Sequence, residues 1–277
     1  MSKLPVGIQV YGLRDLLENT PDQFETVMKE VKNIGYDGVE LAGLYGLEPA
    51  YIRRVLDEAG LVPLSAHVPL VDMMADIDKV IADYSTIGVQ YLVVPYLPEE
   101  YRHLTPGYPV VIEEMKRIGE AVTKAGFKLL YHNHNFEFVK LPDGTYGLDD
   151  IYTQIPDTLL RCEPDTCWVE NGGEDAAAFI RKYGERCEIV HLKDYYKEGN
   201  PQNLFKLIGI ETEEVENDTG VFEFRPVGFG QMLWEPILDA TLEAGAKWVV
   251  VEQDEHYDLC PLEAARRSRE YLKILGW

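Results

Sequence analysis

Lys128-Leu-Leu-Tyr-His-Asn-His134 is an apolar run that ends in two histidines, and the chain continues Asn-Phe-Glu-Phe138. Side chains alternate between two faces of an extended strand, so His132 and His134 point to the same side. Glu137 follows where the strand should run into its loop. Short apolar runs of this kind recur at residues 6–11, 38–41, 63–68, 91–95, 159–163, 188–192 and 247–252, which with 128–134 makes eight. Longer amphipathic segments lie between them. Asn19-Thr20-Pro21 reads as a cap followed by proline at an early helical position. Phe24, Val27, Val31 and Ile34 then repeat at helical spacing until Gly35. Further helical segments are expected at 48–59, 73–87, 108–125, 149–155, 175–183, 231–244 and 261–275. Most are followed by a glycine (Gly60, Gly88, Gly126, Gly184, Gly245, Gly276), as helix C-termini prefer.

Eight strand–helix units without two consecutive helices imply a parallel sheet, and eight such units close into a (β/α)8 TIM barrel. The competing doubly wound open sheet lacks its Gly-x-Gly-x-x-Gly after the first strand. At 277 residues the chain fits one barrel, the fold typically taking about 250, so a single domain over 1–277 is expected. One departure is a long polar loop at about 195–230, after the seventh strand, with Glu-Thr-Glu-Glu-Val-Glu-Asn-Asp at 211–218. A loop this long is usually a lid or binding loop; a solvated insertion or an oligomer contact, and with it a homo-oligomer, is the alternative.

Net charge is −22, from 48 acidic against 26 basic residues, a field that repels phosphate backbones. Nucleic acid is therefore not an expected partner, and a small or neutral ligand is. No apolar run approaches the roughly 20 residues that span a bilayer, so no membrane is expected. The first residues lack the basic-then-apolar layout of a signal peptide; a cytoplasmic location is expected. Cys162, Cys167, Cys187 and Cys260 form no Cys-x-x-Cys and read as reduced and structural.

Functional residues of a barrel come from the C-terminal ends of its strands. Those ends carry Gln9 with Tyr11, Glu40, His67, Tyr96, His132 with His134 and Glu137, Asp165, His191 with Lys193 and Asp194, and Glu252 with Gln253 and Asp254. Asp165, His191 and Glu252, with one ligand from strand five, would form a mixed oxygen–nitrogen divalent site. It suits Mn²⁺ first, with Co²⁺, Mg²⁺, Fe²⁺ or Zn²⁺ as alternatives. Each residue also has a structural reading: Asp165 as a cap after Pro164, His191 as a hydrogen-bonded core histidine. Glu252 after three valines would be a costly burial unless paired or metal-bound. Either one of His132 and His134 binds the metal, or both orient substrate hydroxyls and shuttle protons. Lys193 can stabilise a developing oxyanion or pair with Asp194 or a neighbouring carboxylate. Gln9, Glu40 and His67 are candidate substrate contacts. Trp168 with Phe136 can form an apolar wall, and Arg225 can reach in from the long loop.

Tyr131-His-Asn-His-Asn-Phe-Glu-Phe138, Asp165-Thr-Cys-Trp-Val169, His191-Leu-Lys-Asp194, Val227-Gly-Phe-Gly230 and Val251-Glu-Gln-Asp254 together resemble the sugar phosphate isomerase/epimerase family. That is the xylose isomerase-like barrel group that includes inosose dehydratases, ketose 3-epimerases and apurinic endonucleases. The resemblance spans nearly the whole chain. It implies one divalent cation held by Glu, Asp, His and Glu from strands five to eight. Asp165, His191 and Glu252 carry over directly. The usual strand-five glutamate position falls near His132, and the available glutamate is Glu137, so Glu137 is the expected ligand with His132 as alternative. The endonuclease branch needs further histidines, and Trp168 stands where its Asp-Thr-x-His pattern would place one. The implied chemistry is proton abstraction next to a carbonyl through a metal-bound cis-enediolate, with Glu252, Glu137, His132 and His134 as candidate bases. That gives a sugar isomerase or epimerase. Alternatives are a dehydratase or lyase of an inosose or 3-keto-sugar, and a non-catalytic sugar-binding barrel.

Overall fold

A computed structural model describes residues 3–17, 21–201, 204 and 219–277. Eight parallel strands form the barrel: β1 (Val6–Gln9), β2 (Gly38–Ala42), β3 (Val62–His67), β4 (Tyr91–Val94), β5 (Lys128–His132), β6 (Arg161–Glu163), β7 (Ile189–Leu192) and, later in the chain, β10 (Trp248–Val251). Their hydrogen-bonded order runs β6-β5-β4-β3-β2-β1-β10-β7. The remaining seam, between β6 and β7, is joined by the Glu188 N–H donating to Cys162 O at 3.1 Å and the His191 N–H to Pro164 O at 2.9 Å.

Alternation sorts the side chains. Outward residues such as Val39, Leu41, Leu92, Val94, Leu129, Tyr131, Val190, Val249 and Val251 belong to one large core shared with the helices. Inward residues Leu64, Tyr91, Val93, Leu130, Ile189, Trp248 and Val250 fill the barrel axis near its N-terminal end. Strands apolar on both faces are what a helix-covered parallel sheet requires.

The helices are α1 (Pro21–Ile34), α2 (Pro49–Ala59), α3 (Leu70–Ala75), α4 (Ile77–Ile87), α5 (Tyr108–Lys124), α6 (Gly147–Gln154), α7 (Thr166–Asn171), α8 (Ala176–Tyr183), α9 (Trp234–Glu243) and α10 (Pro261–Ile274). In α1 the predicted stripe Phe24, Val27, Val31 and Ile34 is buried; its expected cap at Asn19-Thr20 lies outside the described residues. Gly60 closes α2 in the left-handed region, φ 73°, where a Cβ would be strained.

Helices do follow one another directly at two places, against expectation. The segment expected at 73–87 is broken at Asp76, whose backbone leaves the helical region (φ −155°) and whose carboxylate accepts from the Lys79 N–H to start α4. The six-residue α7 is too short to show a periodic stripe. The helix expected from 231 begins instead at Trp234.

The described parts of the long segment after β7 form two strands rather than a loop. β8 (Asp194–Asn200) and β9 (Thr219–Arg225) pair antiparallel from Asp194↔Arg225 to Asn200↔Thr219; the acidic run at 211–218 lies outside the described residues. Phe222 and Phe224 of β9 pack on Trp168, Cys167 and Leu204, laying the hairpin against α7. All four thiols are free, with Cys162, Cys167 and Cys187 buried and Cys260 exposed. No described helix is long and apolar enough to cross a membrane.

Candidate metal and sugar site

Two residues beyond the apolar plug, the same inward faces turn polar: Leu130 is followed by His132, Ile189 by His191, Val250 by Glu252. A two-residue step keeps the face and moves about 6.6 Å along the strand. His132, Asp165, His191 and Glu252 each offer a ligating atom within 4.8 Å of all the others, and all four are buried. His132 Nε2 lies 3.8 Å from Asp165 Oδ2 and 4.0 Å from Glu252 Oε2. His191 Nδ1 is 2.9 Å from Glu252 Oε2.

Asp165 satisfies both of its readings at once. Its Oδ1 caps α7, accepting from the Trp168 N–H at 2.9 Å, while its Oδ2 is buried without a hydrogen-bond partner. Its own N–H donates to Asn133 Oδ1 at 3.1 Å, which fixes the residue at the seam. A buried orphaned carboxylate oxygen facing two imidazoles and a second carboxylate fits a divalent cation, with a donor set of two nitrogens and two oxygens.

Glu137 is not brought into this group. After His134 the chain turns into a 3-10 helix, Asn135–Phe138, in which Glu137 folds back in a capping box. Its carboxylate accepts from the Tyr131 hydroxyl at 2.6 Å and the His134 N–H at 2.8 Å. Burial pushes it up to about 8, against the pull of these donors. The strand-five member of the cluster is therefore His132, the alternative.

Lys193 is buried on the same face as His191. Its Nζ lies 2.6 Å from Asp254 Oδ2, 3.3 Å from Glu252 Oε2 and 3.8 Å from Asp165 Oδ2. Burial opposes its charge, but these carboxylates outweigh burial and hold the ammonium protonated. Glu252 is in turn held well below the usual carboxylate range: burial would raise it, and Lys193 and His191 overrule. Asp165 is pushed up to about 7 by burial, and Asp254 to about 6 for the same reason. Burial, reinforced by neighbouring cationic groups, keeps His132 and His134 well below the ordinary imidazole value.

The cluster opens on a cavity of about 350 Å³ lined by Tyr11, Gly43, His67, Pro69, Asp72, Tyr96, His132, His134, Lys193, Glu252 and Asp254, among others. That lies within the ~300–1,000 Å³ of small-molecule pockets.

Other candidates fall elsewhere. Gln9 Nε2 donates to Glu40 Oε1 at 2.8 Å, and Glu40 is wholly buried. Trp168 is fully buried between His134 and the hairpin phenylalanines rather than on the cavity wall. Phe136 stacks on His134, with the Arg102 guanidinium 3.8 Å from its ring centroid. Arg225 pairs with Glu223, near Tyr196 and Tyr257. Asp194 anchors the turn before α9, accepting from the N–H groups of Gly228, Gly230 and Met232 and from Trp234 Nε1. Gly230 must be glycine there, since a Cβ would collide with the Asp194 carboxylate and Tyr195 O.

Glu163 escaped the sequence reading altogether. It is buried beside His67, His132 and His191. Its spacing of two from Asp165 was the available signal, the same one that singled out His132 and His134.

The sequence profile of the xylose isomerase-like TIM barrel family matches residues 28–275. The chain belongs to that family. It is 23% identical to an inosose dehydratase of Clostridium beijerinckii, over 97% of this chain and 94% of that one. With an inosose dehydratase of Clostridium perfringens it shares 25% identity over 92% and 90% of the two chains. The crystal structure of a sugar phosphate isomerase/epimerase from Parabacteroides distasonis superimposes with a TM-score of 0.77 at 21% identity, covering 99% of this chain and 94% of that one. At that identity the superposition speaks for the fold.

Proposed function

We propose that the protein is a divalent-metal-dependent enzyme that isomerises or epimerises an uncharged sugar by removing a proton next to a carbonyl. The observation that carries this reading is the buried set of His132, Asp165, His191 and Glu252 with mutually close ligating atoms at the cavity floor. When bound there, a divalent cation supplies Lewis acidity toward a carbonyl or hydroxyl oxygen, and Mn²⁺ is the first candidate. The chain's own groups handle the protons. Lys193, held charged, can donate a hydrogen bond or proton from Nζ to an oxygen that gains charge. Asp254, with its carboxyl pushed up to about 6, and the neutral His134 are positioned on the wall to accept one. Among the described residues Lys193 is the one Lys or Arg lining the cavity, and three carboxylates already share it, so a phosphorylated substrate would find no free cation.

The inosose dehydratase relatives favour a second reading, a dehydratase or lyase of a keto-inositol or 3-keto-sugar. The same abstraction would then be followed by protonation of a departing hydroxyl. The test is to strip the protein with a chelator, restore Mn²⁺, and assay a panel of free ketohexoses beside water loss from a keto-inositol. Metal-dependent interconversion of a ketose supports the first reading, and metal-dependent water loss the second. Ligand binding that survives stripping, with no turnover on any substrate, would leave a sugar-binding barrel and sink both.

A further inference from the structure

Beneath the cation group lies a second polar tier that the proposed reaction does not use. His191 Nε2, the ring nitrogen facing away from Glu252, is 2.7 Å from Glu40 Oε1 and 3.4 Å from Glu163 Oε2. His132 Nδ1, the nitrogen facing away from Asp165, is 3.3 Å from Glu163 Oε2. His67 Nε2 joins the two carboxylates, 2.7 Å from Glu163 Oε2 and 3.1 Å from Glu40 Oε1. Glu40 is fixed from its own side by the Gln9 amide and the Ser65 hydroxyl. Both glutamates are fully buried.

Such a tier is not explained by stability. Replacing buried ion networks with well-packed apolar groups is often neutral or stabilising, and on the neighbouring strands β5, β7 and β10 the barrel interior is filled by Leu130, Ile189 and Val250. What the tier does have is a consistent address: each imidazole of the cation group presents one nitrogen to the cation position and the other to a buried carboxylate.

We infer that Glu40 and Glu163 are positioning residues for His191 and His132, their carboxylates lying 2.7 to 3.4 Å from the ring nitrogens that face away from the cation, with His67 beside both carboxylates. A carboxylate on the far nitrogen fixes tautomer and ring orientation and makes the ligand more electron-rich; loss of such a partner costs about 10–100-fold in metal affinity. The inference rests on the metal-dependent reading above.

The test is metal binding to the full chain, by titration with Mn²⁺ and by the visible absorption of the Co²⁺-loaded protein. Wild type should take up one ion per chain. Glu40→Gln and Glu163→Gln should each weaken affinity by about 10–100-fold and shift the Co²⁺ bands, while the metal-free protein unfolds at an unchanged or higher midpoint. Leu130→Ala, in the apolar tier, is the control: it should lower the unfolding midpoint and leave affinity and spectrum alone. If either glutamine variant does not fold, Ser65→Ala removes a donor to Glu40 without touching a charge, and it should weaken binding by a smaller factor. Affinities within about twofold of wild type and unshifted bands overturn the inference. So do two ions per chain with one lost in Glu163→Gln, since the tier would then be a metal site itself. Wild-type protein that binds no ion overturns the metal reading and this inference together.

Discussion

The two halves of the barrel interior are built on the same strands and have opposite chemistry. Toward the N-terminal end Leu64, Tyr91, Val93, Leu130, Ile189, Trp248 and Val250 fill the axis. Two residues on, the same faces present His132, His191 and Glu252, joined by Glu40, His67, Glu163, Asp165 and Lys193, all nearly inaccessible to water. The lower half gains from removing apolar surface from water, at roughly 25 cal/mol per Å². The upper half pays desolvation on every charge, and recovers it only through dense pairing. The difference teaches that stability and chemistry are segregated along the barrel axis. A change in one half should leave the other's readout nearly untouched.

The sharpest way to break that separation is at the ligands. Asp165→Ala or Glu252→Gln should abolish retained metal and turnover, exceeding the ~10–100-fold loss expected when an outer partner is removed. Metal analysis after dialysis reads the first and the ketose panel the second. A variant that keeps its ion would show that the cluster is not the site. In the lower half, Leu130→Ala should cost about 2–5 kcal/mol in urea unfolding with one ion per chain still bound.

A smaller, graded effect comes from pH. Burial pushes Asp165 up to about 7, and His191 is raised because Glu163, Glu40 and Glu252 overcome burial; both must be deprotonated to ligate. Metal affinity should therefore rise from pH 6 to pH 8, by about tenfold per unit for each proton released. Titration of Mn²⁺ binding at several pH values checks this, and a flat profile would contradict it.

The segregation also explains how much could be read without coordinates. Short apolar runs separated by amphipathic segments made all eight barrel strands legible, and the rim positions of Asp165, His191 and Glu252 followed from strand ends. Glu163 did not: its spacing of two from Asp165 places it on the same face, but its place opposite His132 depends on the β5–β6 register. The β8–β9 hairpin hid for a similar reason. Val221-Phe-Glu-Phe-Arg225 alternates as a strand should, but its partner begins at Asp194, far outside the short separations by which hairpins are recognised. Glu137 stands apart from the cluster because of a turn: three residues past His132 the backbone is already in a 3-10 helix, which no count along an extended strand anticipates.

Glu137 supplies the last and smallest contrast, since it is a buried carboxylate outside both halves. Glu137→Ala would strand the Tyr131 hydroxyl and the His134 N–H, costing about 1–3 kcal/mol for each buried group left unsatisfied. Affinity for Mn²⁺ should stay close to wild type, because no atom of Glu137 belongs to the cluster. The pH sign follows from its raised value of about 8 against 4.5 for an ordinary glutamate. The group's contribution to stability is complete below about pH 4.5 and is lost as pH rises through 8, at about 1.4 kcal/mol per pKa unit. Glu137→Gln cannot ionise, so its stability should fall less than wild type's between pH 5 and 8, measured by urea unfolding of the metal-free protein. If Glu137→Ala instead loses the ion as completely as Asp165→Ala, Glu137 is the strand-five ligand, and the turn after His134 must open when metal binds.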